Sequence, residues 1–357
     1  MADRIIRHSD LMKLVDEVAR KRRIIGPVAR SVPECEPPVR YFYEDVERAD
    51  QLDLSFRYCV YSPKRFLTPP SETLFAFDQD DGGFVAAPQY DRRPTALVGV
   101  HPCDIHAIRL YDRVFDLEHR DEHYFARRGA TMIIGMDCPG PCTDGVFCKD
   151  MGANVAEAGF DAMLYPLGTD TDGDEMRYAV MFGTKAGREW LLYSRQSAAP
   201  NADDERAFEK YQADKEAAFS FALRTRREDL AELLGRSYDS LLWDATARRC
   251  YSCGSCNLSC PTCYCFDITD ETDLASGSGR RWREWDGCHL PEFALVAGDH
   301  NFRPKAASRL RHRIYRKAVW IQERSGVVGC VGCARCDRAC TAKINSVEIY
   351  NQLAEEA

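Results

Sequence analysis

The stretch Cys250-Tyr-Ser-Cys-Gly-Ser-Cys-Asn-Leu-Ser-Cys-Pro261 carries four cysteines at the spacing C-x2-C-x2-C-x3-C. The same spacing returns further along the chain at Cys330, Cys333, Cys336 and Cys340. It is typical of [4Fe-4S] binding in bacterial ferredoxins, because three thiolates on a tight loop close over three corners of the cube. The two runs therefore predict two [4Fe-4S] clusters.

The spacing also predicts which cysteine holds which cube, because the fourth cysteine of each run typically ligates the other cluster. One cube is expected to take Cys250, Cys253, Cys256 and Cys340. The other is expected to take Cys330, Cys333, Cys336 and Cys260. Zinc is the main competitor, but zinc sites usually use two short pairs rather than a run of four that occurs twice. A disulfide framework fits poorly with a long chain that shows no sign of secretion.

The composition indicates a soluble, globular protein of at least two domains, since the chain has 357 residues, 45% of them hydrophobic and 29% charged. No apolar run is long enough to span a bilayer and the N-terminus lacks a signal peptide, so a cytoplasmic location is expected. Seventeen cysteines in that compartment indicate metal or redox chemistry. The net charge of −8 gives no reason to expect nucleic acid as a partner.

The N-terminal half shows the strand–loop–helix–strand order of an α/β fold with a partly parallel sheet. Two apolar strand patterns, Thr95–Val100 and Thr131–Met136, flank an amphipathic helix, and a first helix is expected from the spacing of Leu11, Leu14 and Val15. Sites in such sheets form at the carboxyl ends of the strands. The loops that leave those ends carry four cysteines, which predict either a third [4Fe-4S] cluster or a zinc site: Cys103, Cys138, Cys142 and Cys148.

The domain boundary is expected near residue 200, where Ser-Ala-Ala-Pro-Asn-Ala-Asp-Asp breaks the periodicity (residues 197–204). Residues 1–200 would then form the α/β domain with its possible third iron–sulfur site, and residues 201–357 a helical dicluster ferredoxin domain. The α-helical ferredoxin arrangement is inferred from the long link between the two runs, residues 261–329, which is rich in arginine and in helix formers.

That link also carries a dense basic stretch between Arg280 and Arg324. Thiolate-ligated cubes are anionic, so the stretch could form a cationic shell around them. Alternatively, it is a solvated helix face that docks an acidic partner. The remaining cysteines are expected to pack, with cluster tuning or spare ligation as further roles for the last three: Cys35, Cys59, Cys263, Cys265 and Cys288.

The motifs around these cysteines resemble one known family. They are Cys-Pro-Thr-Cys-Tyr-Cys-Phe-Asp (260–267), Trp-Asp-Gly-Cys (285–288) with Ala-Gly-Asp-His-Asn-Phe-Arg-Pro (297–304), Cys-Val-Gly-Cys-Ala-Arg-Cys (330–336), Gly-Val-His-Pro-Cys-Asp-Ile-His-Ala-Ile-Arg (99–109) and Lys-Arg-Phe-Leu-Thr-Pro-Pro-Ser-Glu-Thr-Leu-Phe (64–75). From Tyr61 to Ala342 the chain resembles the iron–sulfur β subunit of cytoplasmic [NiFe] sulfhydrogenases and the A subunit of anaerobic sulfite reductases. The resemblance implies an electron-transferring subunit between a flavin- and nicotinamide-binding partner and a catalytic or further iron–sulfur subunit.

The sequence departs from that family at two places. Relatives generally show Cys-Phe-Cys near Cys148, whereas here Val146 takes the first of those positions and Cys142 appears instead, so a third cluster would need a relocated ligand. The second run ends in Cys340-Thr341 rather than Cys-Pro, which loosens the exit turn but removes no ligand.

The function expected first is that of an electron-relay subunit, because the chain has no G-x-G-x-x-G dinucleotide loop and no P-loop. No catalytic residue and no flavin are therefore expected in this chain, and it is not expected to be an enzyme by itself. A second hypothesis is a reductase that binds a flavin or a small substrate at the strand ends. A third gives the clusters a purely structural role, as in some nucleic-acid enzymes, and the acidic charge argues against it.

Overall fold

The structure is a computed structural model that describes residues 1–80, 83–169, 175–193 and 196–356. The strands are β1 (Arg4–Arg7), β2 (Arg23–Ser31), β3 (Val39–Val46), β4 (Ser71–Asp80), β5 (Gly83–Pro88), β6 (Thr95–Val100), β7 (Thr131–Met136), β8 (Ala162–Thr169), β9 (Met176–Phe182), β10 (Phe266–Thr272), β11 (Gly279–Trp285), β12 (Leu295–Val296) and β13 (His300–Asn301). The α-helices are α1 (His8–Ala19), α2 (Pro102–Val114), α3 (Glu122–Gly129), α4 (Lys185–Tyr193), α5 (Ala202–Ala218), α6 (Leu230–Arg236), α7 (Leu242–Ala247), α8 (Ser255–Leu258), α9 (Ala306–Tyr315), α10 (Ile321–Ser325), α11 (Arg335–Arg338) and α12 (Ser346–Glu356).

The main sheet has the strand order β1-β9-β8-β7-β6-β2-β3. Its centre is parallel, since β2, β6, β7 and β8 run in one direction, and its outer strands are antiparallel. The two strands expected from the sequence are confirmed, and every residue of β6 and β7 is buried. Both faces are covered, because helices α1 and α4 pack on one face and helices α2, α3 and α5 on the other.

A second sheet, with the order β10-β11-β4-β5, joins parts of the chain that are far apart in sequence. The hairpin of β10 and β11 comes from the link between the two cysteine runs and pairs with β4 of the N-terminal half. The link is therefore helical only in its second part, where α9, a π-helical turn at Arg316–Trp320 and α10 follow one another. Every residue of β10 is exposed, and Arg283 is the one buried residue of β11.

Helix α5 follows the predicted boundary at residue 200 but packs on the N-terminal sheet. Asn201 caps it by accepting hydrogen bonds from the backbone N–H groups of Asp203 (2.8 Å) and Asp204 (2.9 Å). Phe208 and Tyr211 on its inner face pack edge-on against Tyr165 of β8. Elements from both sides of residue 200 thus share one core, and the two-domain division stays a prediction.

In the part of the chain that the structure describes, we find no helix with the length and apolar character that crossing a membrane would require.

A buried ion pair fastens the second cysteine run to the main sheet. The guanidinium of Arg335 donates to both carboxylate oxygens of Asp104, at 2.7 and 2.8 Å, and its Nε donates to the carbonyl of Cys59 at 3.1 Å. The side chains of the pair are 3% and 1% exposed. Because each charge is shielded from water, each depends on the other for its stability.

We expect Asp104→Asn to destabilise the protein by roughly 3–5 kcal/mol, because it leaves the Arg335 charge buried without a counter-charge. Anaerobic urea unfolding of the cluster-loaded protein, followed by tryptophan fluorescence, measures the change. Glu355→Gln is the control, since Glu355 pairs with Arg224 at the surface and its loss should change little. Equal unfolding midpoints for Asp104→Asn and the parent protein would show that this ion pair does not hold the two parts together.

Candidate iron–sulfur sites

The two cysteine runs fold into loops with the same backbone conformation. In the first loop Ser252 and Gly254 have positive φ angles of 54° and 74°. Gly332 and Ala334 take the equivalent positions in the second loop, with φ angles of 64° and 53°. A one-turn helix follows each loop, α8 after the first and α11 after the second. The left-handed residues curl each loop tightly enough for its cysteines to face a common space.

The first loop faces a cavity lined by cysteines of both runs. The cysteines that line it are Cys250, Cys253, Cys256, Cys336 and Cys340. Cys340 reaches this cavity from the second run, as the crossed ligand scheme requires. Cys253 is exposed, so this cavity lies close to the protein surface.

The second loop faces another cavity. Its cysteines are Cys260, Cys330, Cys333 and Cys336, so here the first run supplies the crossing residue. Cys336 and Arg313 line both cavities, which places the two candidate sites side by side. The structure thus brings together the two sets of four cysteines that the sequence predicts.

Backbone amides point at cysteine sulfurs in both loops. The N–H of Ser252 donates to Cys250 Sγ at 3.4 Å, and the N–H of Gly332 donates to Cys330 Sγ at 3.5 Å. The N–H of Ile344 donates to Cys340 Sγ at 3.4 Å. Such bonds favour the negatively charged sulfur, which is the form that binds iron.

Helix α9 and the π-helical turn bring cations to the candidate sites. Arg309, Arg313 and Lys317 are spaced four residues apart, lie on one helical face and are all buried. Arg313 Nη2 donates to the Cys256 carbonyl at 3.4 Å, and Lys317 Nζ donates to Thr262 Oγ1 at 2.6 Å. Within the described residues, neither Arg313 nor Lys317 forms an ion pair with a carboxylate. Their charges therefore need anions of another kind, and cysteine thiolates are the groups that surround them.

The basic stretch identified in the sequence thus divides into two parts. Arg313 and Lys317 support the cationic-shell interpretation. Arg280 and Arg281 lie on the exposed hairpin and pair with acidic residues of β10. Arg283 is buried and pairs with Glu72 and Asp121, which connects the hairpin to the N-terminal half.

Cys103 follows β6, and Cys138, Cys142 and Cys148 follow β7, so these four cysteines lie beyond the carboxyl ends of two neighbouring strands, where Cys138 and Cys142 line one open cavity. Burial raises the pKa of the Cys138 thiol, and the neighbouring Cys142 and Cys148 raise it further. Burial likewise raises the pKa of Cys103, which lies within electrostatic range of Cys138 and of Cys333 in the second run. Thiols grouped in this way ionise readily only if a bound metal supplies positive charge.

The arrangement of the thiols fits clusters better than single ions. A zinc ion needs its ligands about 2.3 Å from one point, whereas the ligands of a cube are spread around it. Among the residues that the structure describes, no three His, Cys, Asp or Glu side chains converge tightly enough to hold a single metal ion. The cysteines of the two runs instead surround cavities.

Four of the five remaining cysteines lie in three settings. Cys59 is fully buried in the apolar core, as expected for a packing residue, and Cys35 lies in the turn between β2 and β3. Cys263 and Cys288 both contact Asn257, whose Nδ2 lies 3.6 and 3.5 Å from their sulfurs.

Two comparisons with known proteins agree with this geometry. Residues 249–344 match the family model described as a 4Fe-4S dicluster domain. The chain is 32% identical over 342 residues to sulfhydrogenase 2 subunit beta of Pyrococcus furiosus, a match that covers 93% of this chain and 92% of that protein. The chain belongs to the sulfhydrogenase β-subunit family.

Membership of the sulfhydrogenase β-subunit family confirms the resemblance seen in the motifs. The dicluster match spans both cysteine runs and the link between them, which supports two [4Fe-4S] clusters in an iron–sulfur electron-transfer subunit. The name of the relative describes one subunit of several, which indicates a multi-subunit complex.

Some residues of these sites were not singled out by sequence reasoning. Arg335 and Asp104 form the buried pair behind the second loop, and Lys215 donates at 2.6 Å to Asp137, the residue that precedes Cys138. The four-residue spacing of Arg309, Arg313 and Lys317 was a readable signal, since it places three cations on one helical face. No sequence pattern predicted the two ion pairs, because the two residues of each pair are distant in sequence.

We expect Gly332→Ala to lower both the iron content and the unfolding temperature of the protein. A Cβ at this position would overlap the backbone carbonyl of Phe147, which cannot rotate away, and overpacking of this kind costs about 1–3 kcal/mol. Iron and acid-labile sulfide analysis with anaerobic calorimetry measures the effect.

Gly145→Ala is the matched control, because Gly145 also has a positive φ (+77°) but no atom lies within 4 Å of the point that a Cβ would occupy there. In Gly145→Ala the unfolding temperature should reflect backbone strain alone, and the iron content should equal that of the parent protein. If both variants behave alike, the close approach of the second loop to Phe147 does not matter for cluster binding.

Proposed function

We propose that this chain relays electrons between a flavin- and NAD(P)-binding partner and a catalytic subunit of the hydrogenase, sulfite reductase or a similar class. The observation that carries the proposal is the pair of adjoining cavities, each lined by cysteines from both runs. Neighbouring centres of this kind suit one-electron transfer in series. The proposed complex is cytoplasmic and suited to anaerobic metabolism, and nucleic acid is not among its partners.

The ligand sets proposed for the two cubes follow the cavities. Cys250, Cys253, Cys256 and Cys340 would hold one cube, and Cys260, Cys330, Cys333 and Cys336 the other. Cys336 lines both cavities, and we assign it to the second because its run already supplies Cys330 and Cys333 there. The bound cubes would accept and donate single electrons.

The residues around the cysteine sulfurs would influence the reduction potentials of the two proposed centres. Arg313 lies between the two cavities, where its charge favours the more negative, reduced state of either centre. Lys317 and the backbone amide of Gly332 likewise favour the reduced state of the second centre. Apolar side chains such as Ile314 and Tyr350 exclude water there, which opposes the build-up of negative charge. The balance between these positive charges and the exclusion of water would set the reduction potentials of the two centres.

A third [4Fe-4S] cluster at Cys103, Cys138, Cys142 and Cys148 would extend the relay. Cys103 and Cys148 both lie within electrostatic range of Cys333, a proposed ligand of the second cube. Cys138 and Cys142 line an open cavity at the strand ends. A cluster there would connect the second site to this open cavity.

The same open cavity supports an alternative, in which the chain is a reductase that binds a flavin or a small substrate. Phe56 and the buried His101 stack there with ring centroids 4.4 Å apart, next to Arg57. A flavin that copurifies in stoichiometric amount with the isolated chain would favour this alternative over the relay.

The iron content tests the third cluster. We expect anaerobically purified protein to contain about 12 iron atoms per chain, three cubes' worth, and Cys142→Ser to lose about 4 of them. Acid-labile sulfide analysis and EPR of the reduced protein provide the measurement. About 8 iron atoms in the parent protein, unchanged in Cys142→Ser, would restrict the clusters to the two cysteine runs.

The crossed ligand scheme is tested by pairs of substitutions. Cys250→Ser and Cys340→Ser should each remove one cube, about 4 iron atoms, and the double variant should lose no more than either single variant. Cys250→Ser combined with Cys330→Ser should lose both cubes. The opposite pattern, with an additive loss for Cys250 and Cys340, would show that each run holds its own cube.

The relay itself is tested with Cys256→Ser in the assembled complex. We expect electron flow from the nicotinamide-dependent subunit to the acceptor to stop, while the far-UV circular dichroism, which reports the sheet and the helices, stays unchanged. Undiminished flow in a complex that lacks this cube would contradict the relay.

A further inference from the structure

A short turn after β11 brings His289 to the cavity of the first cysteine loop. The Trp-Asp-Gly-Cys motif (285–288) leads into this turn, and the N–H of Leu290 donates to the carbonyl of Gly287 at 2.9 Å. His289 is 3% exposed and lines the cavity together with the first loop. The turn therefore places a buried imidazole, which the proposed ligand sets do not use, beside the site of the first cube.

Contacts on both sides of His289 hold the turn against the first loop. Asn257 of α8 is 2% exposed, and its Oδ1 accepts a hydrogen bond from the backbone N–H of His289 at 3.3 Å. A Cβ at Gly287 would come within 2.9 Å of the same Oδ1, so the backbone of the turn lies directly on Asn257. Leu290 packs on Gly254 of the loop, where a Cβ would lie 2.9 Å from Leu290 Cδ2. The imidazole is thus fixed relative to the loop that carries the cysteines.

The imidazole approaches the sulfur of Cys250, a proposed ligand of the first cube. His289 Nδ1 lies 3.8 Å from Cys250 Sγ, which is within reach of an N–H···S hydrogen bond. A sulfur bound to iron carries no hydrogen and can only accept, so we assign the hydrogen of this contact to Nδ1. Among the described residues Nε2 has no hydrogen-bond partner, and a hydrogen placed there would stay buried and unsatisfied. Nδ1 carries a hydrogen both in this tautomer and in the protonated ring.

The same sulfur also accepts a hydrogen bond from the backbone. The N–H of Ser252 donates to Cys250 Sγ at 3.4 Å, and the N–H of Gly332 makes the equivalent bond to Cys330 in the second loop. His289 therefore adds a side-chain donor to a backbone donor that both loops share. Hydrogen bonds to the sulfurs of a cube help to set its reduction potential, because they stabilise the more negative, reduced state.

We propose that His289 donates a hydrogen bond from Nδ1 to the Cys250 sulfur and thereby raises the reduction potential of the first cube. Reduction adds one electron to the cube, part of the added charge spreads onto the ligand sulfurs, and the N–H group stabilises that charge. The hydrogen stays on the ring throughout. The proposal rests on the proposed electron-relay function and on Cys250 as a ligand of the first cube.

A redox titration of the anaerobic, cluster-loaded full chain, followed by EPR, tests the proposal. Cys250→Ser identifies the signal of the first cube, since this variant should lack it. In His289→Leu we expect the midpoint potential of the first cube to fall, while that of the second cube and the iron content stay as in the parent. His119→Leu is the control and should titrate like the parent, because His119 is exposed between α2 and α3.

Two amide variants separate the hydrogen bond from packing. His289→Asn places an amide N–H near the position of Nδ1, whereas His289→Gln places one near that of Nε2. The potential of the first cube should return towards the parent value in His289→Asn and stay low in His289→Gln. A shift of equal size in the leucine, asparagine and glutamine variants would show that the Nδ1 bond does not act on the cube.

Pulsed EPR gives an independent readout on the parent protein itself. Reduced protein in which only histidine carries isotopically labelled nitrogen should show a weak nitrogen coupling at the first cube. His289→Leu should lose this coupling, and His119→Leu should keep it. If His289→Leu misfolds, the coupling in the parent protein still decides.

Other results would overturn the proposal. An unchanged potential in His289→Leu, or a parent protein without nitrogen coupling, would exclude the hydrogen bond. A loss of about 4 iron atoms in His289→Leu, with the strong coupling of a directly bound nitrogen in the parent, would make His289 a cluster ligand instead. Failure of the proposed relay would appear separately, as missing cluster EPR signals in the parent and in His119→Leu alike.

Discussion

Buried positive charge is the constraint on which the C-terminal half of this protein depends. Arg313 and Lys317 are withdrawn from water by the packing of α9 and the π-helical turn, and the described residues offer them no carboxylate. A buried cation without a counter-charge is costly, so the surrounding cysteines must supply the negative charge. In the proposed cluster-bound state, thiolates ligated to iron would carry that charge, which neutral thiols do not, so cluster binding would be coupled to folding.

The second cysteine run is where the two halves of the chain meet. On one side its loop faces the cavity proposed for a cube, and on the other Arg335 holds Asp104 at the start of α2. Gly332 packs against Phe147, in the loop that carries Cys148. These contacts hold the proposed N-terminal ligands next to the proposed C-terminal ones. A relay needs fixed distances between its centres, and buried ionic and backbone contacts are rigid enough to provide them.

Much of the fold was predictable from local pattern. The strands Thr95–Val100 and Thr131–Met136 were located to the residue, because a fully buried parallel strand is a short, continuous apolar run. The hairpin of β10 and β11 was missed, because its strands show neither a buried apolar run nor a regular alternation of apolar and polar residues. Its pairing with β4 depends on residues some two hundred positions away, for which a single sequence gives no signal.

The sequence by itself determined the chemistry, because the spacing of a cysteine run sets the shape of its loop locally. Ser252 and Gly254 in one loop, and Gly332 and Ala334 in the other, take the same left-handed conformations for that reason. Only the tertiary structure decided what surrounds the sulfurs, such as the burial of Arg313 beside both cavities and the contacts of Asn257 with Cys263 and Cys288. These depend on how helices and sheets pack across long stretches of chain. Packing of that kind follows from the summed burial of many side chains and not from any one motif.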